Sequence, residues 1–387
     1  MQRFRGFLLT AYAEKLSHEN KIGTGHKTNI QMTEKKKILI FGVEQLTKLL
    51  KNEQSEQTFD AVIDFSAYDV DVVEDALKVL ENRIKMYIYI STDSVYEVCK
   101  PTSSIDGLSN ETDSIRPDNP VEYEKLRRRD SYGHKKLKIE EYLRRMQAKS
   151  SRKWSYVILR LPDVLGARDS TDRWWFYQMW LQFFQIINKP IDLSSNIKTS
   201  YVYVKDVARY IGFILTKTFV DDDDKTLSSI NFDNQILNIA CNEILQLKQL
   251  LLMIVDELGK QQDEILFNEN ENTEINFFPS VTRGPIDTRK AVTKFNWNPT
   301  PIKETVREIV QFYNNAYSLF PNERYDIVRK IRKTILSNDE LIYGKFLFEL
   351  NRFSTKLANK RKHDQLFVID HEHLQQQQNF KKTHPEL

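Results

Sequence analysis

Short apolar runs rich in β-branched and aromatic residues alternate, through the first half of the chain, with segments of helical period. No other feature limits the fold as much. KKKILIFG (Lys35–Gly42) precedes VEQLTKLLKN, and FDAVIDFSAY (Phe59–Tyr68) precedes VDVVEDALKVL. KMYIYIST (Lys85–Thr92) and SYVILRLPDVLG (Ser155–Gly166) are further runs of the same kind. Runs this apolar read as strands buried on both faces, and strands separated by helices pair in parallel. The expected architecture is α/β, a doubly wound parallel sheet with helices on both faces.

The third run opens at Ser91, Thr92, Asp93 and Ser94 into a loop rich in hydroxyls, and a second feature lies downstream of it. In Asp130–Met146, Ile139, Leu143 and Met146 fall on one helical stripe, and the same steps taken backwards reach Lys136 and then Tyr132. An ammonium on a buried stripe is costly unless it has a partner or a task. One turn apart, the phenol and the ammonium can point at one place, where the ammonium would favour the phenolate and let it exchange a proton. A surface tyrosine beside a snorkelling lysine is the plainer reading of the same pair.

A strand, a Ser/Thr at its carboxyl end and then a helix with Tyr-x-x-x-Lys resemble the extended short-chain dehydrogenase/reductase family, which holds the nucleotide-sugar epimerases and dehydratases. The resemblance covers about residues 38–313 and implies a Rossmann-type sheet, NAD or NADP as cofactor, and a small-molecule substrate, a nucleotide sugar. Its catalytic set maps onto Thr92, Tyr132 and Lys136. On the cofactor side it points to Gly6, Ser66, Ala67, Tyr132, Lys136 and Pro162; on the substrate side to Asp93, Ser94, Trp174 and Arg283. Ser66 and Ala67 also read as simple small-residue packing, Trp174 as one side of a packed aromatic helix, and Arg283 as a surface ion pair.

The chain departs from the family at several points. Gly6 would be the third glycine of the phosphate-binding turn, with the first strand and two glycines preceding Met1. Ile38–Phe41 fits either the first or the third strand of the usual order, so no acidic residue is assigned to the adenosine ribose. Ser94 stands where dehydratases carry a catalytic Glu, and a hydroxyl cannot serve as that base. Glu97 replaces a usual Gly.

The expected organisation is an N-terminal segment 1–37, a Rossmann-like part 38–166, a region 167–313 completing the sheet and forming a smaller substrate lobe, a helical extension 314–357 and a disordered tail 358–387. Residues 1–16, with Arg3 and Arg5 and no acid before Glu14, also read as a short mitochondrial presequence; otherwise the expected compartment is the cytoplasm. A net charge of +3 from 57 basic and 54 acidic residues argues against a dedicated nucleic-acid surface. Cys99 and Cys241 make no disulfide framework, no apolar run spans a membrane, and no cluster reads as a metal site. A homodimer fits the family. Two functions follow: an NAD(P)-dependent epimerase-type enzyme using Thr92, Tyr132 and Lys136, or a catalytically impaired relative that binds a dinucleotide or RNA or acts as a scaffold.

Overall fold

The structure is a computed structural model; it describes residues 38–41, 58–80, 82–102, 104–148, 154–169, 171–193, 197–219, 230–268, 277–337 and 339–383. Gly6, the presequence reading and the helix expected after Gly42 lie outside them. The described chain divides into two compact units, one of residues 1–171, 195–250 and 276–305, the other of residues 172–194, 251–275 and 306–387. Each unit draws on separate stretches of chain, so the division does not follow the sequential lobes read from the sequence.

In the first unit, β1 (Ile38–Phe41), β2 (Phe59–Asp64), β3 (Ile84–Thr92), β4 (Ser155–Leu161) and β8 (Gln235–Asn238) form one sheet in that spatial order. All four pairings are parallel. β1 pairs directly with β2, Ile38 facing Ala61 and Phe41 facing Asp64. A third strand of the usual order would sit at the far edge, so this is the pairing of a first strand, and Gly6, which precedes it in the chain, loses the place after a first strand that the resemblance gave it. A smaller sheet joins β5 (Asp163–Leu165) in parallel to β7 (Thr199–Tyr203), which pairs antiparallel with β9 (Ile244–Leu245).

Alternate residues of the large sheet feed two cores. Ala61, Ile63, Met86, Ile88, Val157 and Leu159 pack on one face against Val207, Ile211 and Ile214 of the helix Val204–Phe219 and Phe295 of the helix Arg289–Phe295. Val62, Tyr87, Tyr89, Tyr156 and Ile158 pack on the other against Val73, Leu77 and Leu80 of α1 (Val70–Leu80) and Ile139, Leu143 and Met146 of α3 (Ser131–Gln147). Both faces are covered, which is why these strands read as unbroken apolar runs; each large apolar side chain so buried contributes about 1.5–3 kcal/mol.

Between β3 and α3 lie a 3₁₀ turn, Asp93–Val98, and α2 (Pro120–Arg129), which starts with Pro at its first position behind an Asn119 cap. Asp130 ends α2 and caps α3, its Oδ1 accepting from the Gly133 N–H at 2.7 Å. Asp206 lies within the first turn of the helix Val204–Phe219 and accepts from Thr300 N and Oγ1.

The second unit holds the helices Arg173–Gln182, Phe184–Ile187, Pro321–Ile331 and Glu340–Thr383, most of Ile302–Leu319, and the two-stranded pair Ile191–Asp192 with Phe267–Asn268. Trp174, Trp175, Phe176, Tyr177 and Trp180 are all buried there. Trp175 packs on Tyr313 at 5.2 Å between ring centroids, and Phe183 on Phe346 at 5.4 Å. Ile327, Ile331 and Leu350 are buried as their periodicity implies, while the last helix runs on to Thr383, past the expected end at 357. Among the described residues no helix is long and apolar enough to cross a membrane.

Candidate active site

Thr92 ends β3 and caps the turn that follows. Its Oγ1 accepts from the Ser94 N–H at 3.2 Å and donates to Asp93 Oδ1 at 3.2 Å. α3 lies directly on this turn. A Cβ at Gly133 would stand 2.1 Å from the Ser94 carbonyl oxygen and 2.7 Å from its carbon. Only glycine permits that approach, and it brings the neighbouring Tyr132 to the turn, where the Thr92 side chain favours its phenolate. The residue as a whole is 39% exposed.

One turn further, Lys136 is buried and donates from Nζ to the Ile90 carbonyl at 2.9 Å. The rings of Tyr89, Tyr68 and Tyr132 surround the ammonium at 4.7, 5.1 and 5.9 Å from their centroids. Burial pulls its pKa down to about 8, with Asp64 and Glu140 opposing the fall. For Tyr132 the expected activation is not found. Burial pushes the phenol well above its usual range, Tyr68, Asp93 and Asp130 push the same way, and the Thr92 hydrogen bond offsets only part.

Asp93 is buried, and its Oδ2 has no hydrogen-bond partner among the described residues. Burial, then the nearby Asp163 carboxylate, raises its pKa well above the carboxylate range. Ser94 is buried in the same turn. Ser66 and Ala67 follow β2, and both backbone N–H groups donate to Asp64 Oδ1, at 2.9 and 3.0 Å. Asp64 Oδ2 accepts from Tyr87 Oη at 2.6 Å. Pro162 is buried at the end of β4. These residues meet at the carboxyl ends of adjacent parallel strands, where open α/β sheets bind ligands.

The segment carrying Arg283 is stitched across the same edge. Ser280 donates from N and Oγ to Asp163, at 2.9 and 2.8 Å. Thr282 N and Arg283 N donate to Glu97 Oε1 at 2.8 and 2.7 Å. Ile286 N donates to Ser200 Oγ at 3.2 Å. Trp174 belongs to the second unit, where its indole N–H donates to Gln178 Oε1 at 2.9 Å.

Sequence reasoning missed three supports. Glu140 and Arg160, both fully buried, form a two-pronged ion pair with a shortest contact of 2.6 Å. Ser91 Oγ donates to Glu140 at 2.5 Å, and Arg160 reaches Tyr96 Oη at 2.9 Å and Ser114 Oγ at 2.9 Å. This network ties α3 to β3 and β4 and so holds Tyr132 and Lys136 in place. The second support is Tyr68, whose ring also lies 5.7 Å from that of Tyr132. The third is Arg129, bound to the buried Glu97 carboxylate and to Thr282 Oγ1, the latter at 2.8 Å. Glu140 had a signal, since it lies four residues after Lys136 on the same stripe.

The family model of the NAD dependent epimerase/dehydratase family matches residues 38–228. No curated protein sequence matches the chain. Among solved structures, MoeE5 in complex with UDP-glucose and NAD is similar at 16% identity and a TM-score of 0.50, over 72% of this chain and 85% of that one. A UDP-glucose 4-epimerase of Thermotoga maritima with UDP-glucose has 16% identity and a TM-score of 0.48, over 79% and 95%. A dTDP-glucose 4,6-dehydratase of Bacillus anthracis in complex with NAD has 17% identity and a TM-score of 0.48, over 70% and 76%. At these identities the likeness is one of fold.

Proposed function

We propose, from the NAD dependent epimerase/dehydratase family model that matches residues 38–228, that the chain is an NAD(P)-dependent epimerase-type oxidoreductase acting on a nucleotide sugar or a related hydroxylated substrate. The observation that carries the reading is Tyr132 beside Thr92, whose side chain favours the phenolate, with the Lys136 ammonium buried one turn beneath them. The residues present fit the reactive end of a dinucleotide: Tyr132 and Lys136 lie against the ring of Tyr68, which directly follows small Ser66 and Ala67, and Asp93 carries an orphaned buried oxygen. Lys136, Ser66, Ala67 and Pro162 would hold the cofactor there. When bound, it supplies the acceptor and donor of a hydride.

In this reading Tyr132 takes the proton of a substrate hydroxyl, and Thr92 steadies the oxygen as negative charge grows on it. Lys136 favours the phenolate against the burial that opposes it. Burial and the neighbouring Asp163 carboxylate favour the neutral form of Asp93, in which it would donate a hydrogen bond rather than repel the substrate's oxygens. Ser94 provides no base for dehydration.

The test pairs calorimetric titration of NAD and NADP with a pH–rate profile on nucleotide sugars. Tyr132→Phe should retain cofactor binding and lose turnover. A variant as active as the wild type would remove Tyr132 from the chemistry. One observation favours the second reading, a relative that keeps the fold without turnover. The Lys136 ammonium is already satisfied by the Ile90 carbonyl and a ring of tyrosines. Failure of both dinucleotides to bind would decide for it.

A further inference from the structure

Glu97 stands where the family resemblance places a glycine. It lies in the 3₁₀ turn that begins immediately after Thr92, with its side chain 5% exposed. A buried carboxylate is expensive unless donors compensate it. Glu97 has four: Thr282 N at 2.8 Å and Arg283 N at 2.7 Å on Oε1, and Thr282 Oγ1 at 2.7 Å and an Arg129 guanidinium N–H on Oε2. Burial pushes its pKa up, but these donors outweigh burial and hold it below the usual range, so it is anionic at neutral pH. Charge-assisted bonds to two successive backbone N–H groups fix the direction of the chain at that point. The residue whose direction is fixed is Arg283, half-buried; the left-handed Gly284 (φ +81°) follows it.

We propose that Glu97 is a positioning residue. It holds the Thr282–Arg283 turn rigid before substrate arrives and so aims the Arg283 guanidinium at the phosphate-bearing end of the substrate. The inference rests on the nucleotide-sugar reading for the identity of that anion, but not for the rigidity of the turn. A planar guanidinium binds phosphate through two parallel N–H donors, and that geometry is useful only if its backbone does not swing.

The alternative role for a carboxylate beside two arginines is to neutralise them, and it predicts the opposite sign. If Glu97 is only a countercharge, removing it leaves the arginines more attractive to an anion, and affinity rises. If Glu97 positions Arg283, affinity falls. The experiment is calorimetric titration with UDP together with amide hydrogen exchange at Thr282 and Arg283. Glu97→Ala should weaken UDP binding by roughly ten- to a hundredfold, the scale of a guanidinium displaced by about 1 Å, and speed exchange at both amides. Glu97→Gln keeps an oxygen for the two backbone N–H groups and should recover most of the affinity. Thr282→Val, at an exposed residue and without change of charge, should weaken binding by a few fold, which keeps the test open should Glu97→Ala fail to fold. Tighter or unchanged UDP binding in Glu97→Ala overturns the proposal. Absence of UDP binding by the wild-type chain overturns the nucleotide-sugar reading, and unchanged amide exchange in Glu97→Ala overturns the positioning role whatever the ligand.

Discussion

Gly133→Ala and Gly212→Ala are the same chemical change in the interior of two helices, and the structure gives them opposite signs. Helix propensity alone favours alanine by about 1 kcal/mol at either site. At Gly212, in the helix Val204–Phe219, an added Cβ meets nothing within 4 Å. The propensity gain is therefore realised, and the melting temperature should rise by roughly 2 °C. At Gly133 the same Cβ stands 2.1 Å from the Ser94 carbonyl oxygen, against the 3.4 Å at which ordinary contact begins. The obstacle is backbone, so no rotamer change relieves it, and α3 must retreat by roughly 1 Å. Overpacking of this kind costs about 1–3 kcal/mol and exceeds the propensity gain. The retreat also carries Tyr132 away from Thr92, and a misplacement of about 1 Å costs on the order of a hundredfold in rate. Thermal melting and turnover on the same two variants provide the assay. A Gly133→Ala protein that melts no lower than the wild type and turns over as fast would refute the argument that glycine here sets the position of the tyrosine.

Three further outcomes follow from the buried charges. The Lys136 pKa lies near 8 in the folded state and near 10.5 when unfolded. Below pH 8 the fold therefore bears the whole cost of a buried ammonium, and stability rises with pH between 8 and 10.5, where only the unfolded chain holds the proton. Lys136→Met should be more stable than the wild type at pH 7, with a gap that closes through that window when denaturation is followed against pH; parallel curves would contradict it. Burial, with Arg116 next, lowers the His134 pKa to about 4, so His134→Gln should flatten the rise in stability between pH 4 and 6.5. Glu140→Leu or Arg160→Met alone leaves a buried charge unpaired and should cost about 3–5 kcal/mol, while the double variant should be far milder; additive losses in a double-mutant cycle would show that the two side chains do not act as a pair.

Much of the sheet was legible because its strands are buried on both faces, which writes their position into composition alone. FDAVID and KMYIYIST need no knowledge of their partners to be read as strands. The stripe ending in Ile139, Leu143 and Met146 likewise placed Lys136 in the interior without reference to the rest of the chain. The supports around that lysine were harder to see because each depends on a residue far away. Glu140 looks like any helical glutamate until Arg160 arrives from the next strand, and Glu97 looks like loop drift until Thr282 and Arg283 dock on it. The Tyr132 pKa was misjudged for a related reason. The sequence announces the lysine's charge, but burial of the phenol, and after it the charge repulsion of Tyr68, Asp93 and Asp130, arises only from proximity that the fold creates.

The hydrogen bonds between Glu97 and Thr282 join residues 185 apart in the chain. Closing a loop of that length costs about 4–5 kcal/mol of chain entropy beyond a constant, before any contact repays it. The strands β2, β3 and β4 are joined by much shorter crossovers and can assemble first. The segment that carries Ser280, Thr282 and Arg283 then docks on a sheet already built. A nascent chain released before residue 280 would thus have the tyrosine, the lysine and the threonine in place, and only the edge that grips the substrate's charge would still be missing.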